Sequence, residues 1–80
     1  MQIKSLGANQ VEIQTNSATV LYSYSTPVAA FVLERNGYIR TNEFWSVTTS
    51  RHINQWLRDQ IGNRNLDVEL VDQKELDNLM

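Results

Sequence analysis

The first half of the chain alternates apolar and polar residues in short runs, which is the pattern of β-strands. Within residues 10–14, Val11 and Ile13 alternate with polar neighbours that include Glu12. This period of two predicts a strand with one apolar and one wet face. Residues 18–24 are rich in β-formers, and small polar residues separate the runs. The predicted strands are 1–4, 10–14 and 18–24.

The middle of the chain carries the strongest turn signal. Residues 28–33 are continuously apolar, which predicts a strand or a short helix buried on both sides. Asn36-Gly37 separates this run from the strand-like residues 38–41, and Asn-Gly between apolar runs is typical of a β-hairpin. Residues 44–47 predict one more short strand.

An amphipathic helix is predicted over about residues 50–61. Its apolar stripe includes Ile53, Trp56 and Leu57 at helical spacing. The hydroxyl residues 48–50 offer N-caps, and Gly62 stands where a C-cap glycine belongs.

The end of the chain predicts a strand over residues 66–71 and a short helix over about 73–79. Asp72 and Glu75 have the spacing of a capping box, which satisfies free backbone N–H groups at a helix start. The loop 63–65 joins the first helix to the strand. The residues expected to face inward from the short helix are Leu76, Leu79 and Met80.

These elements predict an α+β fold in a single domain, residues 1–80. The expected architecture is a mainly antiparallel sheet of about five or six strands, with the helix 50–61 packed on one face and the helix 73–79 at the end. The predicted core consists of Val20, Tyr22, Phe31, Leu33, Ile39, Trp45, Val47, Ile53, Trp56, Leu57 and Leu70.

Composition narrows the chemistry available to this chain. Its 80 residues include no cysteine, which excludes disulfides, thiolate nucleophiles and cysteine-based zinc sites. The N-terminal residues lack the pattern of a signal peptide, and no apolar run is long enough to span a bilayer. We therefore expect a cytoplasmic protein with no cofactor, no metal and no membrane partner.

Charge is distributed unevenly along the chain. Residues 35–64 hold five arginines against two acidic residues, a net charge of +3, whereas residues 65–80 hold five acidic residues against one lysine, a net charge of −4. We expect the acidic tail to fold back near the arginines or to pair with a second copy.

Two segments carry a family resemblance. Residues 23–30, SYSTPVAA, and residues 45–57, WSVTTSRHINQWL, resemble a family of small proteins of unknown function that occur in bacteriophages and in bacterial genomes carrying mobile elements. Residues 76–80 resemble the short acidic-apolar tail of that family. The resemblance implies a viral or mobile-element origin, but it carries no known activity or catalytic residue.

His52 is the only histidine, and a histidine with a carboxylate partner such as Asp59 can act as a general base. The neighbouring Ser50 is two residues away, so its side chain lies on a different face of the helix. A histidine that packs on Trp56 at the helix flank is the favoured interpretation. The sequence therefore predicts no catalytic site and no enzyme.

The polar edge of the predicted helix is the candidate binding site. Arg51, Gln55 and Arg58 recur at helical spacing, with His52 beside them and Arg40 on a neighbouring strand. We expect a non-catalytic accessory protein that binds a host or viral protein; self-association as a homo-oligomer stays open. The alternative is a nucleic-acid-binding protein that uses the same arginines, helped by aromatic residues on the sheet. The net acidity of the chain disfavours that alternative, and a plainly solvated helix face remains open.

Overall fold

The protein forms one six-stranded sheet with two helices, in a computed structural model that describes residues 1–62 and 66–79. The predicted loop 63–65 and the predicted inward-facing Met80 lie outside the described residues. The elements are β1 (Gln2–Gly7), β2 (Gln10–Gln14), β3 (Ala18–Ser23), β4 (Thr26–Val32), β5 (Gly37–Thr41), α1 (Val47–Ile61), β6 (Val68–Val71) and α2 (Gln73–Asp77).

The strands lie in the sheet in the order in which they occur along the chain, from β1 to β6. Neighbours from β1 to β5 pair antiparallel, while β6 pairs parallel to β5 because α1 crosses from one end of the sheet to the other between them. The α+β fold with a mainly antiparallel sheet is therefore confirmed. The hairpin predicted at Asn36-Gly37 is the β4–β5 connection, with Asn36 at a φ of 50°.

The sheet is covered on both faces, with α1 on one and α2 on the other. Register decides which residues face which helix, since partners in neighbouring strands point to the same side. Leu21 and Ala29 are partners and face α1, whereas Val20 and Ala30 are partners and face α2. Residues 28–32 of the apolar run thus lie in a strand with buried side chains on both faces, one of the two predicted alternatives, whereas Leu33 follows the strand and is exposed.

The strand predicted at 44–47 is wrong. The described backbone from Phe44 to Ser46 is irregular, and Val47 is already the first residue of α1. The Ser46 hydroxyl accepts a hydrogen bond from the Thr49 backbone N–H at 3.0 Å, so the cap is Ser46 rather than the predicted residues 48–50. This N-cap hydroxyl lies two to four residues before the predicted caps, so the helix starts earlier than the apolar stripe alone indicates.

The second helix is shorter than predicted and lacks the predicted capping box. Asp72 is the N-cap residue, but its side chain makes no capping hydrogen bond and instead accepts one from the Asn42 amide at 3.3 Å. Glu75 accepts a hydrogen bond from Arg35 at 3.1 Å. Both carboxylates are thus drawn to long-range partners.

Burial confirms part of the predicted core. Val20, Ile39, Ile53, Trp56 and Leu57 are buried. Tyr22 and Phe31 are only half-buried. Four residues predicted to lie in the core are exposed: Leu33, Trp45, Val47 and Leu70. Leu33 lies just beyond β4, Trp45 lies in the irregular segment before α1, Val47 is the first residue of α1, and Leu70 lies on the edge strand β6. Leu76, predicted to face inward from α2, is fully buried against the sheet.

Leu76 and Leu70 provide a matched test of this arrangement. We expect Leu76→Ala to lower the free energy of unfolding by about 2–5 kcal/mol, because it leaves a cavity between α2 and the sheet. Leu70, 64% exposed on β6, should tolerate Leu70→Ala within about 0.5 kcal/mol. Urea denaturation of both variants measures the difference. Equal losses would contradict the packing of α2 described above.

Candidate functional site

A groove runs along the polar edge of α1, and we call it the basic groove. Its volume is about 420 Å³. Four of the five residues predicted from the sequence line it, and Asn54 and Gln10 complete the lining. The lining residues are Gln10, Arg51, His52, Asn54, Gln55 and Arg58.

The two arginines of the basic groove project into solvent. Arg51 and Arg58 are both exposed, and neither forms an ion pair within residues 1–62 and 66–79. Asp59, the nearest acid in sequence, accepts a hydrogen bond from the Gln55 amide at 3.0 Å. The groove therefore presents two arginines that form no ion pair in the described residues, beside neutral amides, with the Asp59 carboxylate held on Gln55.

Arg40, the fifth predicted residue, reaches the basic groove from β5. Its Nη1 donates to the Asn54 Oδ1 at 3.1 Å, which links the strand to the groove wall. Its Nε is buried and has no hydrogen-bond partner, an arrangement that carries a desolvation cost. Arg40 thus holds Asn54 in place and does not itself line the groove.

The acidic tail neutralises a different arginine. Arg35 lies 3.1 Å from Glu75 and 3.7 Å from Glu69. Among the arginines that the structure describes, the expectation that the tail folds back near them is met by ion pairs for Arg35. The α2 segment packs on the sheet face opposite α1, so Glu75 lies across the sheet from Arg51 and Arg58.

His52 is held by partners that its sequence neighbourhood does not reveal. Its Nδ1 lies 2.8 Å from the Ser23 hydroxyl, which also lies 3.0 Å from the Thr49 hydroxyl. Its ring stacks on Tyr24, with centroids 5.9 Å apart. The hydrogen-bond and stacking partners of His52 are therefore Ser23 and Tyr24, whereas Trp56 and Asp59 were the partners weighed from the sequence. The segments that carry the family resemblance meet at this cluster.

The Ser23–His52 pair has the composition of an activated nucleophile, but the Ser23 side chain is buried. Ser23 is only 2% exposed, and a nucleophile must reach its substrate. Burial lowers the pKa of the His52 imidazole below its ordinary value, so the neutral ring is the form that the native state favours. The cluster thereby ties α1 to the end of β3.

Tyr24 occupies an unusual backbone position. Tyr24 and Ser25 form the two-residue connection between β3 and β4, with φ angles of 51° and 70°. A tight hairpin turn requires positive φ, which glycine or asparagine normally supplies. The strain is opposed by the contact of the Tyr24 ring with His52 and by its backbone N–H, which donates to the Asn9 carbonyl at 3.0 Å.

A buried carboxylate fixes the other end of α1. Glu12 is 4% exposed, and its Oε1 accepts the Trp56 indole N–H at 2.8 Å and the Gln60 amide at 3.3 Å. The wet face predicted for residues 10–14 is therefore wrong at Glu12, which is buried against α1, whereas Gln14 remains exposed. Buried indole donors need an acceptor, and Glu12 supplies it.

Two further kinds of feature were considered: groups of side chains that could hold a metal ion, and helices that could cross a membrane. No group of three or more histidine, cysteine, aspartate or glutamate side chains is placed to hold a metal ion within residues 1–62 and 66–79. Among the same residues, no helix is long and apolar enough to cross a membrane.

Comparison with known proteins decides the family of the chain. A family model covers residues 1–78. The chain belongs to DUF8033, a family of unknown function. The DUF8033 match confirms the resemblance to a family without known activity, and it spans β1 to α2 as well as the two segments singled out from the sequence. No curated protein and no solved structure matches the chain.

The His52 cluster predicts a loss of stability in mild acid. Because the folded-state pKa of His52 is lowered, its contribution to stability is complete above the unfolded pKa of about 6.5 and is lost as the pH falls below that value. Urea unfolding at about pH 7.5 and at about pH 5.5 measures the change. His52→Gln keeps an acceptor for Ser23 but does not titrate, so it should lose less stability over the same interval. A wild-type protein whose stability is unchanged would contradict the buried neutral ring.

Proposed function

We propose that this member of DUF8033 is a small phage-type accessory protein that binds, without catalysis, an acidic segment of a host or viral protein. The observation that carries the proposal is the pair Arg51 and Arg58, exposed along the basic groove and without an ion pair in the described residues. Charge complementarity of this kind directs a partner and sets its register.

The spacing within the basic groove defines the partner further. Arg51 and Arg58 are two helical turns apart, a rise of about 10.5 Å. Carboxylates about 10 Å apart reach both guanidinium groups, a separation that residues i and i+3 of a polyproline-II-like segment supply on one side. Gln55 and Asn54 lie between the arginines and offer amide groups to the backbone of such a segment.

The rigidity of the groove favours recognition over chemistry. Trp56 fastens the helix to Glu12, and His52 fastens it to Ser23. A binding surface on a helix held at both ends loses little conformational entropy when a partner docks. The resemblance of residues 23–30 and 45–57 to phage and mobile-element proteins supports a partner in the cytoplasm of a bacterial host.

A labelled acidic peptide tests the proposal. We expect a peptide with glutamates at every third position to bind at low salt and to weaken as salt rises, because the contact is electrostatic. Arg51→Glu and Arg58→Glu should each weaken binding about tenfold or more, since repulsion replaces attraction. Fluorescence anisotropy measures the affinity.

Lys74 supplies the matched control. It is exposed on α2, on the other side of the sheet, so Lys74→Glu makes the same change in net charge away from the basic groove. Its effect should stay within about twofold. Equal weakening by all three variants would show that net charge, rather than the groove, governs binding and would reject the proposal.

A single-stranded nucleic acid is the second candidate, favoured by Tyr24. Its ring is half-exposed and stacks on His52 at the margin of the basic groove, and exposed aromatic rings beside basic residues bind bases by stacking.

A gel shift with a short single-stranded oligonucleotide separates the two candidates. If nucleic acid is the ligand, affinity should fall steeply with salt, and Tyr24→Ala should lower it through lost stacking, on the order of 1–3 kcal/mol. Binding of the acidic peptide should be nearly indifferent to Tyr24→Ala. No shift at low salt would eliminate the nucleic-acid candidate.

A further inference from the structure

A small pocket lies between the β3–β4 turn and the start of α1, and we call it the aromatic pocket. Its volume is about 180 Å³. Exposure places Tyr24 and Trp45 at its rim, at 52% and 49%, and the buried Ser23 and Thr49 at its base. None of its lining residues carries a charge at neutral pH: Ser23, Tyr24, Thr26, Trp45, Ser46 and Thr49.

Both rings at the rim are held in position. The Trp45 indole N–H donates to the Gln73 side chain at 3.1 Å, and the Gln73 amide donates to the Pro27 carbonyl at 2.6 Å. The Tyr24 ring stacks on His52 from a turn of positive φ. Rings that are already fixed lose little conformational entropy when a ligand packs against them, and binding energy at interfaces concentrates on Trp and Tyr.

The hydroxyl groups at the base already have hydrogen-bond partners. The Ser23 hydroxyl lies 3.0 Å from the Thr49 hydroxyl and 2.8 Å from the His52 Nδ1, and the Ser46 hydroxyl accepts the Thr49 backbone N–H at 3.0 Å. A sugar or a nucleobase brings several donors and acceptors, which would lose water here without gaining equivalent partners. The aromatic pocket therefore fits an apolar ring better than a polar one.

Proline is the apolar ring that suits an aromatic rim. Its side chain is a saturated ring and its backbone has no N–H, so burying it leaves few polar groups unpaired. Proline-rich segments dock into aromatic-lined grooves in the polyproline-II conformation. This is also the conformation in which the proposed acidic segment presents its carboxylates to Arg51 and Arg58.

The aromatic pocket is continuous with the basic groove. Tyr24 lines the pocket, and the His52 ring on which it stacks lines the groove. Along the axis of α1, Thr49 precedes Arg51 by about 3 Å and Arg58 by about 13.5 Å. About six residues of polyproline-II conformation, at about 3.1 Å each, cover this span. One short segment can therefore occupy both sites.

We propose that the acidic segment bound by the basic groove also carries a proline, which binds in the aromatic pocket between Tyr24 and Trp45. This binding mode rests on the proposed function, since it concerns the same partner. The arginines select negative charge, which many segments share. The pocket adds a requirement for one kind of ring at a fixed distance from that charge, and specificity of this kind separates the partner from other acidic segments.

Paired peptides test the pocket by fluorescence anisotropy with the full chain. Both carry glutamates at every third position, and prolines flank the glutamates on both sides in one peptide where alanines do so in the other. We expect the proline peptide to bind about tenfold more tightly, the effect of burying about two methylene groups. Equal affinity of the wild type for the two peptides would overturn the inference but leave the proposed function standing. Failure of both to bind at low salt would overturn both.

Variants of the protein separate the pocket from the stiffness that proline gives the free peptide. Trp45→Ala should lower the advantage of the proline peptide about fivefold or more, whereas Trp45→Phe keeps a ring and should retain most of it. Phe44→Ala is the matched control, because Phe44 is 74% exposed beside Trp45 and does not line the pocket. Equal effects of Trp45→Ala and Phe44→Ala on the ratio of the two affinities would overturn the inference.

NMR of the two indole N–H groups reports the site directly. The Trp45 resonance should move when the proline peptide is added. The Trp56 resonance should stay fixed, because this indole donates to the buried Glu12. A Trp45 resonance that moves with a single-stranded oligonucleotide but not with the proline peptide would overturn the inference and favour the nucleic-acid candidate.

Discussion

Burial of β4 on both faces is the constraint from which the rest of the structure follows. Ala29 and Ala30 are adjacent, point to opposite sides and are fully buried. Their small side chains let α1 approach from one side and α2 from the other without overpacking. The position of α1 then determines the basic groove.

Local patterns predicted the elements of the fold well and their packing less well. The helical stripe of Ile53, Trp56 and Leu57 identified the buried face of α1, because apolar residues that recur at helical spacing mark the side that packs on the core. Period-two alternation in residues 10–14 predicted the strand correctly, but it placed Glu12 on a solvated face, whereas Glu12 is buried. Apolar side chains usually face the core, yet here a helix donor that needs an acceptor draws Glu12 inward.

The residues of the site that lie on one helix could be predicted from the sequence. Contacts that join residues far apart in the chain could not. Arg51, Gln55 and Arg58 lie together because helical spacing alone places them there. The partner of His52 is Ser23, which is 29 residues away in the chain, and no local signal connects them. Ser46 carried a local signal, since a serine before a helix is a common cap, but the apparent strand at 44–47 obscured it.

The sheet also separates acidic from basic side chains, a separation that the net charge of the chain does not reveal. The chain is acidic overall, with a net charge of −2, and the acidic tail was expected to lie near the arginines. Because α2 packs on the face opposite α1, its Glu75 reaches Arg35 but lies across the sheet from Arg51 and Arg58. The sheet between the two surfaces has a low dielectric constant and contains little water, so the acidic and the basic surface keep opposite electrostatic potentials. Net charge therefore argues poorly against an anionic partner here, since the surface that such a partner would meet is locally positive.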